Sequence, residues 1–383
     1  MFLYYNVLSQ FEKSITGHYW VKRNACNCKI VKGCAVNYFS SYISRRELMQ
    51  MFLGIGAALS GVGAISGCAV TSTDKIIDRP ANDAKRYTIM PPDNGCLVGF
   101  YKKESPSFAM QHYKNAISTT PALFALWSHI ASGFPMTAAR TIRDYGTMPY
   151  IAIYPGMATS NLRYEPEDIV KGRCDFFIKS FANVAMDFGK EYGSFFITAL
   201  PEFNAHWWPW SMKADTAAAV RHIWKIFDDR GANQYATWGW EAFCPTRYEK
   251  FVSDPELYYP GDKYIDWIGV NVFANLKNRF ILEDTTLREL LSPTYVQMQN
   301  NHPEKSMMIS EFGRTPGDKQ PQWLIDAYTS IKKDFPKIKA AIYYDNITTT
   351  LSGGHSSQDH TLNEVSLKTL KDIFHDPYWL MSK

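Results

Sequence analysis

The chain has 383 residues, 46% of them hydrophobic and 20% charged, which suits a soluble globular protein with one large domain and additional segments. Its formal charge of +4 is concentrated in residues 1–67, which hold seven Lys/Arg against two Asp/Glu and leave 34 against 35 for the remainder. The folded part is therefore close to neutral, and no nucleic-acid partner is expected.

Residues 1–43 match no targeting pattern and read as a tail or an over-extended start. From 44 to 68 the pattern changes. Arg45 and Arg46 precede an uncharged, Gly/Ala-rich run over 48–73, with Ile65-Ser66-Gly67-Cys68 inside it. Paired arginines before such a run resemble a twin-arginine export signal, and the tetrapeptide resembles a lipobox, so Cys68 is the expected lipidation site. The rival reading is a plain membrane anchor. Both imply export, with the protein held at a membrane and facing the periplasm or cell surface. Cys26, Cys28 and Cys34 have no zinc-like spacing, and no metal or other cofactor is expected. Residues 69–94 are polar with three prolines and read as a linker.

From residue 95 short apolar runs alternate with amphipathic stretches. Strands are predicted at 96–101, 121–127, 148–154, 194–200, 234–240, 264–273, 306–310 and 338–344. Helices are predicted at 136–144, 173–188, 214–230, 285–300, 320–335 and 364–374. The strands are continuous apolar runs, as in a parallel sheet covered on both faces. Eight of them alternating with helices predict a single (β/α)8 TIM barrel over 95–383. No Gly-rich phosphate loop follows the first strand, which counts against an open doubly wound sheet.

A barrel gathers the residues after its strand ends at one face. Two apolar runs end in glutamates: Phe195 to Leu200 leads to Glu202, and Met307 to Ser310 leads to Glu311. The first opens the stretch PEFNAHWWPW, Pro201 to Trp210, where a carboxyl, an amide and three indoles crowd together. Paired carboxyls beside exposed aromatic rings are what hydrolysis of a glycosidic bond requires.

PEFNAHWWPW resembles the H-E-M-N-G-x-W-x-P-W segment of glycoside hydrolase family 26, the β-mannanase family. RHIWKIFDDRGANQYATWGW, YPGDKYIDWIGVNVF, ISEFG and FPKIKAAIYYD resemble further family segments in the same order, so the resemblance covers about residues 95–374. It implies a (β/α)8 barrel with Glu202 as acid/base and Glu311 as nucleophile, acting by retention on a β-linked polysaccharide. The family's histidine before the acid is Pro201 here, an arginine earlier on that strand is Thr198, and a tyrosine after strand six is Phe273. These losses remove hydrogen bonds that orient the carboxyls. A non-catalytic, carbohydrate-binding barrel is the alternative.

The expected substrate-contacting residues are Asn204, His206, Trp207, Trp208, Trp210, Trp240, Glu241, Asn271, Phe273 and Asp345. Of Trp238 and Trp240, one is expected to face the lumen as a platform under the reacting sugar and the other to lie in the core. Glu241 and Asp345, at the ends of strands five and eight, are expected as hydrogen-bond acceptors or as structural groups. Glu202 is expected to be protonated at rest, in a dry setting beside tryptophans, and Glu311 ionised.

Overall fold

Eight strands pair in chain order, each parallel to the next: β1 (Cys96–Tyr101), β2 (Leu123–His129), β3 (Met148–Tyr154), β4 (Phe195–Ala199), β5 (Ala236–Phe243), β6 (Trp267–Ala274), β7 (Ser306–Arg314) and β8 (Ile338–Tyr344). β8 then pairs with β1, from Leu97↔Ala340 to Tyr101↔Tyr344, and the sheet closes. This is the expected (β/α)8 barrel. The computed structural model describes residues 85–156, 163–245, 252–274, 285–348 and 358–382. The tail 1–43, the expected export signal 44–68 with Cys68, and the expected linker as far as residue 84 lie outside them. Among the described residues no helix is long and apolar enough to cross a membrane.

The helices are α1 (Pro106–Ile117), α2 (Met136–Asp144), α3 (Pro166–Val170), α4 (Asp175–Tyr192), α5 (Thr216–Asp229), α6 (Leu287–Asn301), α7 (Gln320–Asp334) and α8 (Glu364–Ile373). Each turns an apolar stripe to the barrel. In α4 the stripe is Ile178, Phe181, Ala182, Ala185 and Phe188, spaced at three and four residues. Cys96, Cys174 and Cys244 are buried and unpaired in disulfides.

Side chains on a strand alternate between faces, so each barrel strand feeds two cores. The outer one lies between strands and helices and holds Ile197, Trp238, Trp240, Val270, Ile309 and Tyr343. The inner one fills the lumen with Leu123, Ala125, Tyr150, Phe196, Trp267, Met308, Ala340 and Ile342, topped by Tyr101 and Tyr344. The barrel is thus packed solid up to its C-terminal mouth, where the lumen side chains Glu241, Asn271 and Glu311 gather.

Residues 85–94, expected as the end of a spacer, are instead bound to the opposite rim. Arg86 makes a two-pronged contact with Asp266, at 2.9 and 2.7 Å. Trp267 Nε1 donates to the Ile89 carbonyl, and the Ile89 N–H donates to Thr237 Oγ1. Ile89 packs against the lumen core, so this segment closes the floor of the barrel.

Candidate active site

Glu202 stands three residues beyond the end of β4, in a loop held tightly to its neighbours. Leu200 and Glu202 both have left-handed backbones, with φ of +57° and +53°. A residue with a Cβ adopts that conformation at a cost of roughly 1–2 kcal/mol. The surrounding hydrogen bonds over-determine it. The Leu200 N–H donates to the Ile153 carbonyl at 3.0 Å, and the Glu202 N–H donates to the Glu241 carbonyl at 2.9 Å. Ser211 Oγ donates to the Glu202 carbonyl. Trp210 Nε1 donates to the Pro201 carbonyl.

The Glu202 carboxyl receives three N–H donors. Trp207 and Trp208 both donate to Oε2, at 2.8 and 2.7 Å, and Asn271 Nδ2 donates to Oε1 at 3.0 Å. Three donors match a carboxylate, whose oxygens only accept. The sequence suggested the opposite resting state, with indoles as dry walls. The difference is that both indoles aim their N–H edges at the acid and shield it with hydrogen bonds.

Glu311 reaches the same mouth through a bulge. Along β6 and β7, Val270 pairs with Ile309 but the next residue, Asn271, pairs with Glu311. Ser310 is the extra residue, and the shift sets the Glu311 backbone directly opposite Asn271. Gly269 makes room below: a Cβ there would stand 2.3 Å from Ser310 Oγ. Glu311 Oε1 accepts the indole N–H of Trp127, the lumen-side residue near the end of β2, at 3.0 Å. Burial, then the charges of Glu241 and Glu202, hold the Glu311 carboxyl well above the ordinary carboxylate range. Ionised Glu311 is therefore not the favoured state of the free site, contrary to the sequence-based expectation.

Glu241 lies beneath this pair, 2% exposed. Tyr150 OH donates to its Oε2 at 2.6 Å, and Asn271 Nδ2 donates to its Oε1 at 2.8 Å. Asn271 therefore ties Glu241 to Glu202. Glu202 and Glu311 keep only 8% and 9% of their surface.

The remaining expected contacts divide by placement. Trp207 and Trp208 are half-buried beside Glu202, and exposed His206 lies edge-on to Trp207. Phe273 is a half-buried lumen residue packed on Tyr344 and His360. Four others are occupied inside the protein. Asn204 is fully buried and pairs with the Phe243 main chain, accepting its N–H at 2.8 Å and donating to its carbonyl at 2.9 Å. Trp210 is buried under Trp208, the two rings stacked at 4.8 Å. Asp345 accepts from Lys102 Nζ, Tyr113 OH and the Leu362 N–H, which makes it a buried tie between strand and helix. Trp240 lies in the outer core, stacked on Phe203 at 5.0 Å, and Trp238 is in the same core. The expectation that one of them faces the lumen fails because residues two apart on a strand share a face.

Trp127 and Tyr150 are the site residues that sequence reasoning missed. The usable signal was parity: Leu123, Ala125 and Trp127 share one face of β2, and that face is the lumen. Among the described residues no cluster of three or more His, Cys, Asp or Glu could hold a metal ion.

The chain and its fold have counterparts. Over 268 residues the chain is 27% identical to Endoglucanase H of Acetivibrio thermocellus, a match covering 65% of this chain and 27% of that protein. The chain thus spans about a quarter of the length of this curated relative. No family model matches. Among solved structures, the GH26 domain of an endo-β-mannanase/endo-β-glucanase from Prevotella bryantii aligns with a TM-score of 0.55 at 13% identity, covering 76% of this chain and 91% of that one. The fold is that of GH26 mannanases. The catalytic domain of a GH26 endo-β-1,4-mannanase from Bacillus sp. JAMB-750 gives 0.56 at 16% identity, covering 75% and 87%. At these identities the likeness to the GH26 barrels is one of fold, and the chemistry rests on the residues at the mouth.

Proposed function

We propose that this chain is a retaining glycoside hydrolase acting within a β-linked polysaccharide such as β-mannan or β-glucan. The observation that carries the reading is the meeting of Glu202 and Glu311 at the C-terminal mouth of a GH26-type barrel, with Asn271 bonded to Glu202 and in register with Glu311, and half-buried tryptophans beside them. The similar proteins, an endoglucanase and endo-β-mannanases, support the same class.

In this reading the proton held by Glu311 in the free site passes to Glu202 when a sugar binds, and the Glu311 carboxylate then attacks the anomeric carbon. The glycosidic C–O bond breaks as Glu202 passes its proton to the leaving oxygen. A glycosyl ester on Glu311 results. Glu202, now a carboxylate, takes a proton from water, the resulting hydroxide attacks the anomeric carbon, and Glu311 is released. Double displacement calls for carboxyls roughly 5–5.5 Å apart and gives net retention. Trp207 and Trp208 are our candidates for stacking on the sugar, with His206 and Phe273 lining its approach and buried Asn271 acting through the Glu202 carboxyl.

The test is hydrolysis across β-mannan, β-glucan and β-xylan, with the anomer of the product followed by NMR. Glu311→Ala is expected to lower turnover by roughly 10^3-fold or more. Full turnover in that variant would remove the mechanism. The near-complete burial of both carboxyls favours a second reading, a carbohydrate-binding barrel without turnover; binding of a β-glycan with no product over days would select it. We further propose export and attachment to a membrane through lipidated Cys68. Mass spectrometry of the mature amino terminus, in wild type and Cys68→Ser, tests that.

A further inference from the structure

A two-carboxyl mechanism leaves Glu241 without a task, yet both of its oxygens are held. It sits on the lumen face of β5 with 2% of its surface exposed, too little for a sugar to touch. Tyr150 OH occupies one oxygen at 2.6 Å and Asn271 Nδ2 the other at 2.8 Å. The same Asn271 nitrogen reaches Glu202 Oε1 at 3.0 Å. An amide nitrogen has two hydrogens, so it can serve both carboxyls at once. The main chain repeats the link, since the Glu202 N–H donates to the Glu241 carbonyl. Gly269, the register partner of Glu241, keeps the space beside it open.

The groups facing Glu241 are Tyr150 from β3, Glu202 from the loop after β4, Asn271 from β6 and Glu311 from β7. None of these brings a positive charge. Three carboxyls in so small and dry a space cannot all ionise near neutral pH, because each negative charge raises the cost of the next.

We propose that Glu241 is a third, non-reacting carboxyl of this site, clamped by Tyr150 and linked through Asn271 to Glu202, whose charge decides which of Glu202 and Glu311 holds a proton. The proposal rests on the reading of that pair as acid and nucleophile. When Glu241 carries the proton, Glu311 can ionise and attack. When Glu241 is ionised, its charge keeps the proton on Glu311 and blocks attack. After burial, Glu241 is the largest influence holding the Glu311 proton on, ahead of Glu202. Burial also raises Glu241 itself, with Glu202 adding to it. Glu241 is thus a positioning residue for protons, and it makes no bond to the sugar.

The experiment is a pH titration of the full chain labelled with carbon-13 at the glutamate carboxyls, with the Glu311 signal assigned by its loss in Glu311→Gln. In Glu241→Gln the amide oxygen still accepts from Asn271, but the charge is gone. The Glu311 midpoint is expected to fall by roughly one pH unit or more. A midpoint that superposes on wild type overturns the proposal. If Glu241→Gln does not fold, Tyr150→Phe serves. Removing the hydroxyl takes a donor from ionised Glu241, favours its protonated form, and should also lower the Glu311 midpoint; no movement again overturns the proposal. The readout does not depend on turnover. A shifted midpoint in a protein that cleaves no glycan would sink the hydrolase reading alone. An unshifted one in an active enzyme would sink only the role of Glu241.

Discussion

Trp127 gives Glu311 a hydrogen bond where the GH26 resemblance leads one to expect a tyrosine from strand six. That position is Phe273, which has no hydroxyl and packs on Tyr344 and His360. The Trp127 ring is stacked on Tyr101 at 4.5 Å, so the indole has little freedom to leave Glu311. Trp127→Phe keeps a ring in the stack and deletes the N–H. A hydrogen bond to a charged group is worth about 1.5–3 kcal/mol. If the bond holds the nucleophile in the transition state, kcat/KM should fall roughly 10–100-fold, mostly in kcat. A fall confined to KM would show that Trp127 serves substrate binding instead. That Glu202 and Glu311 come to the barrel mouth was legible in the sequence because each closes an apolar run. The donors Trp127, on Glu311, and Tyr150, on Glu241, were not, since they come from other strands and only barrel closure brings them there.

At the scale of elements, the loop from 200 to 212 and the bulge in β7 deliver the two carboxyls, and neither could be read from periodicity. MMISE reads as a plain strand, whereas the extra Ser310 shifts the register so that Asn271 faces Glu311. Helix α1 also escaped notice. Its buried Ala109, Met110, Tyr113 and Ile117 have helical spacing, but it has no side-chain cap and ends on left-handed Ser118 in place of a glycine. Asn204, expected at the sugar because it follows the acid, proves to be the brace of the Glu202 loop. Its amide pairs with both main-chain groups of Phe243, as a neighbouring strand would. Asn204→Ala would leave a buried N–H and a buried carbonyl without partners, at a cost of about 2–4 kcal/mol. The urea midpoint should drop accordingly with an unchanged slope. A loss below about 0.5 kcal/mol would mean that the loop holds its shape without the brace.

For the whole molecule, strand order and closure were legible because a parallel barrel requires apolar runs at regular spacing, and those survive in this sequence. The pH dependence of stability is a property that no single motif foretells. The raised carboxyls Glu241 and Glu311 bind protons more tightly folded than unfolded, so their contribution is present at low pH and is lost as pH rises above the usual carboxylate range. His360 acts with the opposite sign. It is 1% exposed, its two ring nitrogens have no partners among the described residues, and burial lowers it to about 4. An unfolded histidine protonates near pH 6.5. Between those two values the unfolded chain holds a proton that the folded one refuses, so stability falls as pH falls from about 6.5 towards 4. From these two pKa values, the loss at pH 5 is about 2 kcal/mol. Raw melting curves mix the two signs, but comparison with His360→Phe separates them, because the carboxyls are common to both proteins. The phenyl ring keeps the contact with Phe273 and Tyr344 and cannot titrate. The variant should therefore gain about 2 kcal/mol relative to wild type on going from pH 8 to pH 5, measured by urea unfolding at each pH. A stability difference that stays constant between the two pH values would mean that His360 titrates alike in the folded and unfolded chains, and that acid lability lies elsewhere.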